Sequence, residues 1–281
     1  MEHATPAAIL MLIALIGPVL YFIWRSVRGL KINIRRLPGV DAIDGAIGRT
    51  VELGRPISFT SGLTGVGPLL YACLSVLRYI ARKTAVYGAR IFVPCSDPES
   101  LVLTDATLQN AYRSENKFSQ YDSSSLRFLS EEQFAYASGY MGLIHRENVG
   151  AAFLFGRYAA ESLILAEAGQ QIGAVQVAAT TSPEQVPFFI TACDYTLIGE
   201  ELYAAGAYLS EDPVQTGSLR GQDFGKLLFF VLILFGVFQA TYYSVKSGHP
   251  VVEEVPLKTW LSSDWADLGF GTAVDASEGE K

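Results

Sequence analysis

The chain has 281 residues, a formal net charge of −7 and only 17% charged side chains, with a mean hydropathy of +0.27. The acidic balance argues against a nucleic-acid binder, which needs clustered Lys and Arg to neutralise phosphate, and the apolar content argues against disorder except at the ends. Cys73, Cys95 and Cys193 form no CxxC pair and leave an odd count, so neither a zinc site nor a disulfide framework is indicated, and they read as reduced, small apolar side chains.

Ala4 to Trp24 carries no charged residue. As a helix it measures about 31 Å, enough for a hydrocarbon core of about 30 Å. A cleaved signal peptide would need a positive start and a small-residue cleavage site, whereas this segment begins with Glu2 and His3 and runs into Trp24-Arg25. Residues 1–36 therefore read as a transmembrane helix with a basic juxtamembrane segment holding Arg25, Arg28, Lys31, Arg35 and Arg36. Leu37-Pro38-Gly39 reads as a turn into the next domain.

Residues 37–219 read as a cytoplasmic α/β domain. A β-rich run, Ile57 to Thr60, leads through the loop Ser61-Gly62-Leu63-Thr64-Gly65-Val66-Gly67 to a helix from Pro68 to Tyr87, then a strand from Arg90 to Cys95, then a helix that starts at Asp97-Pro98. Ser114 to Glu132 is polar and Ser-rich and reads as a surface connection. Beyond it, Met141 to His145 reads as a strand, Val149 to Ala168 as a helix, Ala174 to Thr180 as a strand, and Pro183 toward Leu209 as a helix, with Ser182 and Gln185 fitting a capping box. Val66 to Ala81, Gly150 to Gly169 and Val186 to Leu209 are apolar enough to resemble further spans, but each carries internal charge and reads as a buried soluble helix.

The order of elements repeats. Ile57 to Glu99 aligns without a gap on Gly142 to Glu184, an offset of 85 residues, matching Gly65 with Gly150, Gly88-Ala89 with Gly173-Ala174 and Pro98-Glu99 with Pro183-Glu184. The fold class expected is α/β: two transmembrane helices flanking a domain of two β-α-β-α repeats, about 57–116 and about 141–210, with largely parallel strands that share one sheet or face each other.

Thr216-Gly217-Ser218 reads as a turn before a second transmembrane helix over 220–246, whose uncharged run extends from Leu227 to Val245. Arg220 and Lys226 precede it, so basic residues flank the inner ends of both spans and place the middle of the chain in the cytoplasm, both termini outside. The tail over 247–281 is acidic; Trp260 and Trp265 in it read as headgroup anchors, a partner contact or plain packing.

Several runs carry a resemblance: Ile43-Asp44-Gly45-Ala46-Ile47-Gly48-Arg49, Glu52-Leu53-Gly54-Arg55-Pro56, Ala160-Glu161-Ser162-Leu163-Ile164-Leu165-Ala166-Glu167, Cys193-Asp194-Tyr195-Thr196-Leu197-Ile198-Gly199-Glu200-Glu201 and Gly217-Ser218-Leu219-Arg220-Gly221-Gln222-Asp223. Over roughly residues 40 to 245 the chain resembles a family of prokaryotic membrane proteins defined only as a domain of unknown function. The resemblance implies a bacterial or archaeal membrane protein and supplies no activity or catalytic residue.

Candidate chemistry gathers where a parallel sheet binds ligands, outside the carboxyl ends of its strands. The candidate ligand-binding residues are Ser61, Gly62, Thr64 and Gly65 of the Gly-rich loop, with Ser96 and Asp97 after the next strand. The loop lacks both the P-loop Lys and the GxGxxG spacing, so it matches neither nucleotide fingerprint, and a tight strand-to-helix turn explains it better. His145, Arg146, Glu147 and Asn148, with Thr181 and Ser182, fall at the same rim or a related one. Glu161, Glu167, Asp194, Glu200 and Glu201 interrupt apolar segments; with His145 the sole histidine of the domain, ion pairs with Arg157 or subunit contacts explain them better than a metal site or a catalytic triad. No catalytic residue, metal or cofactor is indicated. The expected function is that of a membrane-anchored structural or accessory subunit, in contact with membrane lipids, that forms a homo-oligomer or joins other membrane subunits. Two alternatives stay open: a cytoplasmic sensor or binding module for a small anionic, nucleotide-like ligand, and an enzyme acting at the strand rim.

Overall fold

The computed structural model describes residues 6–29, 38–210 and 212–247. Lys31, Arg35, Arg36, Leu37 and the acidic tail with Trp260 and Trp265 lie outside the described residues. The chain divides into two compact units, Met1–Ile32 with Pro213–Lys281, and Asn33–Asp212.

The first unit pairs α1 (Pro6–Val27) with α9 (Pro213–Ser247). Both are long and apolar enough to cross a membrane. The expected turn at Thr216-Gly217-Ser218 is helical: α9 starts at Pro213, because Gly217 and Gly221 face α1 instead of breaking the chain. A Cβ added at Gly217 would stand 2.7 Å from the Ile23 Cα, and one at Gly221 2.5 Å from the Val19 Cα. The small residues let the two backbones approach, as small-xxx-small pairs do between membrane helices. Their sequence order makes the pair antiparallel, since Gly217 meets Ile23 while Gly221 meets Val19.

The second unit is a single six-stranded sheet in the order β3-β2-β1-β4-β5-β6. Its strands are β1 (Ile57–Gly62), β2 (Ile91–Cys95), β3 (Leu126–Phe128), β4 (Ala151–Arg157), β5 (Val175–Thr180) and β6 (Tyr195–Ile198). All five neighbouring pairs are parallel. This is the strand order of the Rossmann-type doubly wound fold, two β-α-β-α-β halves joined side by side through β1 and β4. The halves therefore share one sheet.

Helices cover both faces, so β1 and β2 are buried at every position and read as continuous runs, not alternating ones. On one face lie α2 (Pro38–Glu52), α3 (Pro68–Tyr87), α4 (Pro98–Ser114) and α8 (Glu200–Ser210), around a core that includes Phe59 and Phe155, whose rings stack 5.8 Å apart. On the other lie α5 (Gln133–Glu147), α6 (Ser162–Gln171) and α7 (Val186–Ala192), around Tyr136, Tyr140, Leu154 and Phe189. Pro68 opens α3, and Gly88, left-handed at φ 68°, closes it by donating its N–H to Thr84 and Ala85. Asp97 caps α4 by accepting the N–H groups of Glu99 and Ser100.

The second half departs from the gapless repeat. Met141 to His145 is helical, inside α5, and the strand that matches β1 is β4, at Ala151–Arg157. The apolar run from Gly150 to Gly169 splits into β4 and α6, and the expected helix from Pro183 toward Leu209 splits into α7, β6 and α8. Ser182 opens no helix: its N–H donates to Thr180 Oγ1, and the Gln185 side chain accepts from Ser162 instead of completing a capping box. The polar connection before α5 contains β3, which pairs with β2.

Candidate functional site

The strand order reverses between β1 and β4, and the crevice at their carboxyl ends is where doubly wound sheets receive ligands. The two strands close on each other through a register shift between Thr60 and Gly62 that sets Gly62 against Arg157. Gly62 is left-handed at φ 60°, and a Cβ there would meet the Tyr158 ring at 2.5 Å and the Arg157 carbonyl at 2.6 Å. Only glycine fits this crossing.

Four of the sequence-derived candidates hold the rim together. Thr64 is buried; its hydroxyl donates to the Ser61 carbonyl at 2.5 Å and accepts the Arg157 N–H at 2.7 Å. Buried Ser96 donates to the Gly62 carbonyl at 2.6 Å, tying the end of β2 to the loop. Asp97 is the α4 cap. Ser61 is buried and serves through its carbonyl, which also accepts the Thr64 N–H. The structure thus brings Ser61, Gly62, Thr64 and Ser96 into one hydrogen-bonded knot, in which the Thr64 and Ser96 hydroxyls and the Ser61 and Gly62 carbonyls are engaged.

Gly65 differs. It is exposed, and a Cβ built there would meet nothing within 4 Å beyond its chain neighbours. Among the described residues no protein acceptor takes the N–H groups of Gly65, Val66, Gly67, Leu69 or Leu70, and the α3 cap, Gly67, has no side chain to supply one. Arg157, exposed at the end of β4, forms no ion pair among the described residues. An amide-lined, positively polarised helix start beside a neighbouring strand that ends in an unpaired guanidinium suits an anion chemically. A dinucleotide in the usual mode does not fit: the helix position that takes the third glycine holds buried Leu70, and Asp97 is occupied as a cap.

Beside the rim the ion pair expected between Glu161 and Arg157 does not form. Glu161, fully buried, accepts the Ala159 N–H at 3.0 and 3.1 Å and the Gln133 amide at 2.7 Å, so it pairs with the loop after β4 and not with Arg157. Three tyrosines line the β1 face beside it. Tyr136 bonds the Thr60 hydroxyl and donates to the Pro94 carbonyl at 3.3 Å, while Tyr158 donates to the Thr60 carbonyl at 3.1 Å. Burial pushes the phenols of Tyr136 and Tyr158 well above the ordinary range and keeps them neutral. Ser58 and Thr60, polar residues alternating with Ile57 and Phe59 in a wholly buried strand, were the available signal for such a layer.

The remaining acids also have structural partners. Asp194 accepts the Gln176 N–H at 2.8 Å, Glu201 the Ile198 N–H at 3.0 Å and Glu167 the Gln171 amide at 3.3 Å. At the opposite end of the strands, Arg55 donates to the Asn148 carbonyl at 3.1 Å and to Ile172 at 3.2 Å, so His145 to Asn148 lie away from the crevice, at the end of α5.

Neither a curated protein nor a solved structure matches the chain. A family model does, over residues 2–250, which is most of its length. With its paired apolar helices and its doubly wound sheet, the chain belongs to the family described as domain of unknown function DUF6754.

Proposed function

We propose that the chain is a membrane-tethered binding module whose switch-point rim holds a small phosphate-bearing anion. The observation that carries this reading is the set of amides from Gly65 to Leu70 that find no protein acceptor among the described residues, next in the sheet to Arg157. Thr64, Ser96 and Gly62 shape the loop and leave the exposed amides to the ligand, so recognition rests on backbone and charge, not on a catalytic side chain. The helices α1 and α9 supply the tether. Basic residues at the inner ends of both spans orient the sheet domain toward the cytoplasm.

Calorimetric titration of the detergent-solubilised full chain with inorganic phosphate, AMP, ATP and NAD tests the proposal. Binding of at least one phosphate-bearing compound is expected, weakened by Arg157→Ala and by Gly65→Val, whose side chain would crowd the amides. Absence of binding by all four, or binding indifferent to both substitutions, overturns it.

A second reading, the accessory subunit that self-assembles, is favoured by the charges carried on α9 beside an uncharged stretch of α1.

A further inference from the structure

We propose that residues 33–36, Asn-Ile-Arg-Arg, add to the outer edge of β6 as a seventh, parallel strand of the sheet, their two arginines set against the acids that flank β6. This segment lies outside the described residues, at the start of the sheet unit, whose first residue is Asn33. The edge is separate from the anion site, and the inference does not depend on it.

Among the described residues β6 is the last strand of the sheet. Gly199 donates its N–H to the Thr180 carbonyl at 2.8 Å, toward β5, while Ile198 turns its N–H the other way, onto the Glu201 carboxylate at 3.0 Å. By the alternation of a strand, the N–H and carbonyl of Thr196 point outward with those of Ile198, as at any sheet edge. Large apolar side chains stand bare on both faces of this edge, Tyr195 at 45% and Ile198 at 47% exposure. An edge of this kind is a template for a further strand, and natural sheets cover it.

The chain itself arrives there. Helix α2 starts on β6: a Cβ at Gly39 would stand 2.7 Å from Leu197 Cδ2. It ends at the other end of the sheet, where a Cβ at Gly150, just before β4, would meet the Thr50 methyl at 2.7 Å. The residues leading into Pro38 therefore finish at the carboxyl end of β6, and a strand that finishes there runs parallel to it. From a position beyond β6, through α2, to β1 the chain moves across the sheet in the same direction as from β1, through α3, to β2, with both helices on the same face. The crossover thus keeps the handedness that β-α-β units share. Four extended residues cover about 13 Å, and β6 has the same four-residue length.

Pattern and charge agree with this placement. Residues 30–35, Leu-Lys-Ile-Asn-Ile-Arg, alternate apolar and polar side chains, the period of a half-covered strand. No Lys or Arg occurs between Arg157 and Arg220, so Asp194, Glu200 and Glu201, which flank β6, lack a basic neighbour in sequence. Asp194 and Glu201 form no ion pair among the described residues. Arg35 and Arg36 bring the opposite charge, and charged side chains on the new edge discourage any further strand from adding. A second copy offers no such match, since its own β6 edge would set acid against acid.

The test is hydrogen–deuterium exchange of the detergent-solubilised full chain, read at the Thr196 amide by fragmentation mass spectrometry. In the native chain that amide should exchange at least about a hundredfold more slowly than a free amide, independently of protein concentration. Ile34→Pro combined with Arg35→Pro removes two successive donors, one of which faces β6 in either register. Exchange at Thr196 should then return to within about threefold of the free rate, while the Phe153 amide of β4 stays protected. Arg35→Glu combined with Arg36→Glu keeps every backbone donor and should speed exchange at Thr196 about fivefold; this pair decides the matter if the prolines unfold the sheet and Phe153 loses its protection. Free exchange at Thr196 in the native chain, which would leave the arginines to lipid headgroups, overturns the proposal. So does protection that the substitutions leave unchanged, or protection lost on dilution, which would assign the edge to a second copy.

Discussion

Thr64 Oγ1 accepts the backbone N–H of Arg157 at 2.7 Å, a side-chain bond that joins the loop after β1 to the last residue of β4 across the switch point. A main-chain bond, Leu63 N–H to the Arg157 carbonyl at 3.0 Å, runs beside it. The β1 loop is therefore fixed before any ligand arrives, a pre-organised anion site if the proposed function holds.

Replacing Thr64 by Val keeps the shape and removes both hydroxyl bonds, leaving the Arg157 N–H without its acceptor. A loss of about 1 to 3 kcal/mol is expected in denaturant unfolding of the solubilised chain. Affinity for the phosphate probe should fall with it, because the loop would no longer be held in place. Unchanged stability would show that the bond contributes nothing.

Two glycines of the rim should behave oppositely. Gly156 is at φ 149°, and a Cβ there would strike the Ser61 carbonyl and come within 2.5 Å of Thr64 Oγ1, so Gly156→Ala should cost about 3 kcal/mol or prevent folding. Gly65→Ala, with open space around it, should leave the thermal midpoint within about 1 °C to 2 °C, a change below about 0.5 kcal/mol. Equal effects would refute this description of the crossing.

Much of the first half was legible from local signals. The helix expected over Pro68 to Tyr87 is α3 with the same ends, fixed by Pro at its start and Gly88 after its end, and the Asp97-Pro98 start of α4 is a formed cap. The second half was misread because the halves are unequal. Helix α3 has 20 residues and α6 has 10, so no single offset aligns β1 with β4 and also β2 with β5. Short apolar runs such as Met141 to Ile144 do not distinguish helix from strand by periodicity, and α5 received its helical form from packing Tyr136, Tyr140 and Ile144 under the sheet. At the site, the loop was visible as a strand-to-helix turn. Arg157 and Glu161 were read only as an ion pair, since what sets the end of β4 against the β1 loop is strand order, which no local pattern encodes.

The tyrosine layer offers a contrast between satisfied and unsatisfied hydroxyls. The Tyr140 and Ser58 hydroxyls are close enough to interact, yet neither has a partner of hydrogen-bond geometry. Tyr140→Phe should therefore be neutral or slightly stabilising, since it removes a buried orphan. Tyr136→Phe removes bonds to Thr60 and Pro94 and should cost about 1 to 2 kcal/mol. Paired denaturation curves decide it; equal losses would mean that Tyr140 has a partner in solution.

The cysteines set the alkaline behaviour of the sheet unit. Burial pushes the thiols of Cys73, Cys95 and Cys193 from the ordinary 9.0 up to about 12. Because the folded values are raised, both states hold these protons below about pH 9, and there the thiols make stability independent of pH. Above that, the unfolded chain releases them while the folded chain does not, so stability falls as pH rises through the window from about 9 to about 12. The buried tyrosines Tyr136 and Tyr158, raised in the same direction, add to the fall once the unfolded phenols ionise near 10. Denaturant midpoints measured from pH 7 to 11 should be flat to about pH 9 and then decline, and Cys73→Ala should flatten the decline at a lower starting stability. The same burial makes the thiols slow nucleophiles, because only the thiolate attacks. Maleimide labelling of the native chain at pH 8 should be slow at Cys73 and Cys95 and fast only after denaturant is added; rapid native labelling at either position would contradict the packing of α3 and β2 described above.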